Sequence, residues 1–194
     1  MTQPPTASPR PRPRPLLSRR LDTLYVVYFS IHLAASVLID AQLSLVPYTP
    51  RLYPAPVRAA LSFYLEAFKD PFLLALARQD AAYTWFHALV VSEVVVQLPL
   101  FVVGIVALRR DDVRVYPLLV AYGTLAASST MQCIASLVFG NDGIGLTPKE
   151  VLGLLQNYVP FCILPAVLCV DMSMRIIRLL PSPPSPASQH KKDR

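Results

Sequence analysis

The sequence predicts an all-α membrane protein: a four-transmembrane-helix bundle with short amphipathic helices in its first luminal connection. Three observations predict it. Hydrophobic residues make up 54% of the 194 positions and charged residues 15%, with a mean hydropathy of +0.44, which is too apolar for a soluble domain of this size. Four apolar stretches, about residues 24–46, 84–108, 116–138 and 151–177, can each cross a hydrocarbon core of about 30 Å at a helical rise of ~1.5 Å per residue. The net charge of +6 is concentrated in the two tails and one short connection, where it orients the spans and gives no reason to expect nucleic-acid binding.

Residues 1–20 form a Pro/Arg tail, with Arg10, Arg12, Arg14, Arg19 and Arg20 and almost nothing apolar before Leu16. Such a segment has no core to join and is expected to be disordered and basic. The span 24–46 is too long for a signal-peptide core, and its small residues Ala34, Ala35 and Ser36 lie mid-span rather than at its end. It carries His32 and Asp40; Asp40 lies about 9 Å from the helix end by helical rise, within reach of either the interface or the bundle interior.

The connection 47–83 opens with prolines that block a helix. Leu61, Tyr64, Leu65 and Phe68 then recur at helical spacing, predicting an amphipathic helix that caps the bundle. Asp70-Pro71 reads as an N-cap followed by proline at the first helical position, opening a second short helix through Phe72, Leu73 and Leu76.

The span 84–108 holds Glu93, with Gln97 one turn on and Pro99 just after. An acid inside a spanning helix costs roughly 2.5–3.5 kcal/mol on insertion scales, so Glu93 is expected to face a protein interior or a wet cavity. The short turn that follows, with Arg109, Arg110 and Arg114 beside Asp111 and Asp112, marks the cytosolic side. In the third span Ser129, Gln132, Cys133 and Ser136 share a helical face, suited either to cementing helices or to lining a pocket. Thr147-Pro148-Lys149-Glu150 reads as a capped helix start. In the last span Pro160 and Pro165 predict a kink, and Asp171 with Arg175 reads as a surface ion pair at i, i+4. Cys133, Cys162 and Cys169 have neither metal-ligand nor secreted-domain spacing and are expected to be buried thiols.

Residues 181–194 form a second disordered tail ending Lys191-Lys192-Asp193-Arg194, a dilysine pattern of the kind that returns membrane proteins to the endoplasmic reticulum. It has to face the cytosol to be read by coat machinery. Four spans with the basic turn inside place both termini there.

In this topology Asp40 and Glu93 fall in the luminal half, about 9 Å and 14 Å from their helix ends. No lysine or arginine lies at bilayer depth, and only His32 is ionisable at a comparable level. Two such acids close together do not readily both ionise, so one is expected to stay neutral and donate to the other. The pair suits gripping a cationic amine between apolar walls, or passing a proton to an apolar substrate. The plainer alternative is that each acid bonds backbone groups freed by Pro99, Pro160 or Pro165. No hydrolase triad, metal-ligand cluster, Walker loop or dinucleotide glycine pattern is present, so no cofactor, metal or catalytic residue is assigned.

These residues also carry a resemblance. Tyr28-Phe29, His32, Asp40-Ala41-Gln42, Leu52-Tyr53-Pro54, Phe68-Lys69-Asp70-Pro71, Trp85-Phe86, Glu93 with Gln97-Leu98-Pro99, and Tyr158 with Pro160 and Pro165 resemble the sigma-2 receptor family of the EXPERA superfamily, which also contains the emopamil-binding sterol isomerases. The match covers roughly residues 20–180. It departs at Leu33-Ala34, where the family continues with proline, and at Phe161, where a tyrosine is usual; the loop from Ala75 to Thr84 also looks longer.

The resemblance implies a four-helix endoplasmic-reticulum protein, often dimeric, whose cavity takes sterols and cationic amphiphiles. It implies that Asp40 pairs with a ligand amine, that Asp70 supports the site from the loop, and that Glu93 and Gln97 line the cavity. The expected ligand-binding set is His32, Asp40, Asp70, Glu93, Gln97, Thr130, Tyr158 and Phe161. The expected partners are a sterol or cationic amphiphile, membrane lipids, a second copy of the chain, sterol-trafficking membrane proteins and, through Lys191 and Lys192, the coat machinery. The function these features favour is sterol binding without turnover, in sterol homeostasis and trafficking. Two rivals are a sterol double-bond isomerase and a proton-coupled transporter; the latter calls for polar residues along the full bilayer depth, and the inner half offers few.

Overall fold

The computed structural model describes residues 14–44, 52–140 and 145–181. The dilysine pair, most of both tails, the end of the first predicted span and much of the turn after the third span lie outside the described residues. Four helices are long and apolar enough to cross a membrane: α1 (Arg20–Ser44), α4 (Ala81–Arg109), α5 (Val113–Phe139) and α6 (Pro148–Leu179). Two shorter helices lie between the first two spans, α2 (Ala55–Phe68) and α3 (Pro71–Ala77). The long helices run alternately up and down. One end of the bundle carries the basic α4–α5 turn, and the other is covered by α2 and α3.

Only about a quarter of the residues in the apolar windows of these helices are buried, at 22–28%. Ile31, Val95, Met131 and Val170 stand more than half exposed on four different helices. In water that surface would drive aggregation, whereas in lipid it matches the solvent. Each helix also begins before its predicted apolar run, at a polar start that hydropathy does not register. Thr147 and Glu150 form a reciprocal capping box at the start of α6, and Pro148 occupies its first turn.

Two cores hold the bundle. Towards the basic end, Tyr25, Phe29, Phe101, Leu119, Tyr122, Leu168 and Met172 pack from all four long helices. Towards the capped end, Leu43, Phe72, Leu73, Leu76, Phe86, Val90, Leu137 and Leu154 join the spans to α3. α5 and α6 meet closely at Gly123, where a Cβ would fall 2.6 Å from the carbonyl oxygen of Pro165. Only glycine permits that approach. α6 runs as one continuous helix through Pro160 and Pro165.

Two helices widen into π turns, at Ser36–Asp40 in α1 and Glu93–Gln97 in α4, and these two turns touch. The second precedes Pro99, which cannot donate to the carbonyl four residues back and crowds it, so the ladder loosens there.

The predicted surface pair Asp171–Arg175 is part of a larger, partly buried network at the basic end. Arg175 contacts Asp171 at 2.7 Å but also donates to Asp22 at 2.6 Å, and Asp22 is 1% exposed. Arg19 pairs with the other side of Asp22 and donates to the Leu108 carbonyl at 2.7 Å. Tyr25 donates to Asp171 at 3.2 Å, and the Arg175 guanidinium lies 5.6 Å from the centre of the Tyr116 ring. The pairing joins α1 to α6 across 153 positions, a distance that an i, i+4 pattern cannot reveal.

Two further expectations need correction. Cys133 and Cys162 are buried thiols, but Cys169 is only half-buried. The polar face expected on α5 is divided, with Ser129 and Cys133 turned inward and Gln132 exposed.

Candidate functional site

Where the two cores meet, a cavity of about 280 Å³ opens between α1, α4, α5 and α6, with α2 and α3 covering its end. This is near the lower size limit of ligand pockets. His32, Asp40, Asp70, Glu93, Gln97, Thr130, Tyr158 and Phe161 all line it. The rest of the wall is largely apolar or aromatic, including Ile39, Phe68, Leu73, Phe86, Leu89 and Val90. Among the described residues no lysine or arginine lines it.

The acids are placed by local structure. Asp40 closes the π turn of α1, and Glu93 opens that of α4. Glu93 is nevertheless not held by Asp40: among the described residues no hydrogen bond joins the two. Its Oε1 accepts from the Ser36 hydroxyl at 2.5 Å and lies 3.2 Å from His32 Nε2. The expectation that one of the two acids donates to the other is therefore corrected: Glu93 is held by Ser36 and His32 instead.

Behind His32 the chain continues. Its Nδ1 lies 3.1 Å from the Tyr28 hydroxyl, which is 2.9 Å from that of Tyr122. If Tyr122 donates to Tyr28, Tyr28 to Nδ1 and Nε2–H to Glu93, a neutral imidazole satisfies every member. Phe101 and Phe161 hold the ring, with centroids 4.6 and 4.7 Å from its own. His32 is thus fixed on both nitrogens and two sides, which orients Glu93.

Asp70 caps α3 as its Asp-Pro sequence predicts, accepting from the Phe72 and Leu73 amides at 3.0 and 3.2 Å. Its second oxygen accepts from Tyr158 at 2.7 Å. The side chain is fully buried, and desolvation raises its pKa above the ordinary carboxylate value even though these donors oppose the shift. Burial likewise pushes up the Tyr64 phenol, which faces the same acid. Gln97 is buried at the end of the same π turn of α4.

Sequence reasoning did not place Tyr64, Asn157 or Ser36 at the site. Tyr64 was legible as the inner face of an amphipathic helix. Ser36 reads as an ordinary small residue of a packed span, and Asn157 stands out only as a lone amide one residue before Tyr158. Among the described residues no cluster of three or more His, Cys, Asp or Glu side chains is arranged to hold a metal ion.

Comparison with known proteins places this geometry in a family. Residues 56–172, more than half of the chain, match the EXPERA (expanded EBP superfamily) model. That stretch contains Asp70, Glu93, Gln97, Thr130, Tyr158 and Phe161, whereas His32 and Asp40 precede it. The chain is 28% identical over 161 residues to Sigma intracellular receptor 2 of Xenopus tropicalis, covering 80% of this chain and 89% of the relative. It is also 28% identical over 168 residues to Efficient mitochondria targeting-associated protein 19 of Schizosaccharomyces pombe, covering 84% and 81% respectively. With four helices able to span a bilayer and a domain match across most of them, the chain is a multi-pass membrane protein belonging to the EXPERA superfamily.

Proposed function

We propose that this protein is a ligand-binding protein of the endoplasmic-reticulum membrane whose cavity takes sterols and cationic amphiphiles, serving sterol homeostasis and trafficking without turnover. The observation that carries the reading is the composition of the cavity wall: carboxylates set among aromatic and aliphatic side chains with, among the described residues, no lysine or arginine. A protonated amine supplies the missing positive charge, and an apolar ring system fills the rest. Asp40 is the acid assigned to the amine, because Glu93 is already engaged by His32 and Ser36, and Asp70 by Tyr158 and two amides. The relative named as a receptor supports the non-enzymatic form. The basic α4–α5 turn and the dilysine pair support cytosolic termini and retrieval to the endoplasmic reticulum.

The test is to purify the protein, titrate it with a cationic amphiphile and with a sterol, and assay the same sample for isomerisation of an unsaturated sterol. Asp40→Asn is expected to weaken amine binding by about 30-fold, the lower range for losing one partner of a desolvated charge pair. Unchanged amine affinity removes the assignment. Sterol product that disappears in Glu93→Gln would replace binding with catalysis, since an isomerase needs an acid and a base flanking one substrate position.

A further inference from the structure

The basic end of the bundle carries a second opening. A cleft of about 1370 Å³ lies where the start of α1, the α4–α5 turn and the end of α6 converge, several times larger than the cavity of about 280 Å³. Among the described residues, seven arginines and four aspartates line it. Each aspartate is already in an ion pair with one or more of Arg14, Arg19, Arg114 and Arg175. Arg20, Arg110 and Arg178 are left over: they are exposed and, among the described residues, in no ion pair. The surplus at this opening is thus three positive charges, with no acid free to cancel them. The lining is also partly apolar. Leu21, Val113 and Leu179 line the same cleft and are exposed. Arg20-Leu21 opens α1, Arg178-Leu179 closes α6, and Arg110 and Val113 belong to the turn between α4 and α5. An unpaired arginine and an exposed aliphatic side chain therefore recur together on three elements, at the helix ends where hydrocarbon gives way to headgroups.

We propose that this cleft is a binding site for an anionic phospholipid whose headgroup carries a phosphomonoester besides its phosphodiester, as in a phosphatidylinositol monophosphate. The charge count selects the headgroup. A phosphodiester carries about one negative charge and a phosphomonoester roughly 1.5–2 at neutral pH, which together match the three arginines that no aspartate compensates. Guanidinium forks bind phosphate oxygens two at a time, and basic pockets between the interfacial ends of spanning helices are suited to such headgroups. The aliphatic rim selects the lipid over a soluble phosphate. A free anion would satisfy the arginines and leave Leu21, Val113 and Leu179 in contact with nothing, whereas the glycerol and first acyl carbons of a lipid cover them. The site lies at the opposite end of the bundle from α2 and α3, so it stands apart from the cavity and does not depend on what the cavity holds. With the arginine-rich turn towards the cytosol, the cleft meets the leaflet that carries anionic lipids.

The experiment titrates the full chain, purified in a non-ionic detergent, with dioctanoyl phosphatidylinositol monophosphate, dioctanoyl phosphatidylserine, dioctanoyl phosphatidylcholine and the deacylated inositol phosphate headgroup. The expected result is saturable binding of the phosphoinositide, weakened about fivefold by each of Arg20→Gln, Arg110→Gln and Arg178→Gln and roughly 100-fold by the three together. The lipid-free unfolding temperature is expected to stay at the wild-type value, because none of the three arginines takes part in an ion pair; the single variants serve if the triple variant does not fold. Arg58→Gln with Arg78→Gln removes two exposed charges at the capped end and is expected to bind the phosphoinositide as wild type does. An equal loss in that control shows attraction by net charge alone and overturns the proposal. Phosphatidylserine bound as tightly as the phosphoinositide overturns the headgroup, and a deacylated headgroup bound as tightly as the lipid makes the ligand a soluble anion. Absence of saturable phosphoinositide binding to wild type overturns the site outright and leaves the cavity's function intact.

Discussion

The two ends of the bundle treat their acids in opposite ways. At the basic end, Asp22 is sandwiched between Arg19 and Arg175, Asp171 is held by Arg175 and Tyr25, and Asp112 is forked by Arg114. Around the cavity, Asp40, Asp70 and Glu93 lie among apolar walls, and among the described residues no arginine or lysine lines it; serine, tyrosine, histidine and backbone amides serve Glu93 and Asp70. Asp22 and Asp70 are similarly buried, at 1% and 0% exposure, so burial alone does not distinguish an acid that holds helices together from one at the cavity. The distinction lies in whether a permanent cation is within reach.

The comparison breaks most sharply at Asp22. Replacing it with asparagine takes a shared counter-charge from the buried Arg19 and the partly buried Arg175, which keep Asp111 and Asp171, and is expected to cost about 3 kcal/mol. Thermal unfolding in detergent should show the largest loss of any variant considered, with amine affinity at a permissive temperature unchanged. A cut between the two ends comes next. Gly123→Ala drives a Cβ into the Pro165 carbonyl and should cost roughly 1–3 kcal/mol, read as a lower unfolding temperature. An unaffected melt would mean that α5 and α6 are not closely docked there.

At the cavity the sign is expected to change. Asp40→Asn removes an acid that has no cationic partner among the described residues, so stability should stay within about 0.5 kcal/mol of wild type or rise while amine binding falls. A large destabilisation would assign Asp40 to the scaffold. The smallest effect is a pH dependence. Because the Asp70 pKa is raised in the folded state, the folded protein holds its proton more tightly than the unfolded chain does. Stability should therefore be highest in acid and decline as pH rises from the unfolded value of about 3.8 through the folded value. Asp70→Asn keeps an N-cap acceptor and should abolish that slope; a slope that persists belongs to another group.

The same contrast explains what the sequence disclosed. Four spans, the cap at Asp70 and the capping box at Thr147 were legible, because hydropathy and N-cap chemistry are local. Glu93 was legible as an anomaly because an acid in a span is costly wherever it points. Its partner was not, since His32 lies 61 positions away on another helix. Arg19 read as part of the basic tail and Asp22 drew no reading, because nothing local indicates that a side chain at the edge of a span turns inward to meet α6.

The paired π turns of α1 and α4 bear on how such a cavity arises. Each turn accommodates one residue more than an α-helix would, and one residue corresponds to about 100° of rotation, so the segments on either side of it are out of phase. The inner wall is therefore set by chain length as well as by residue identity. A relative could keep every side chain named here and, by losing a single residue at either turn, direct a different face of the helix at its ligand.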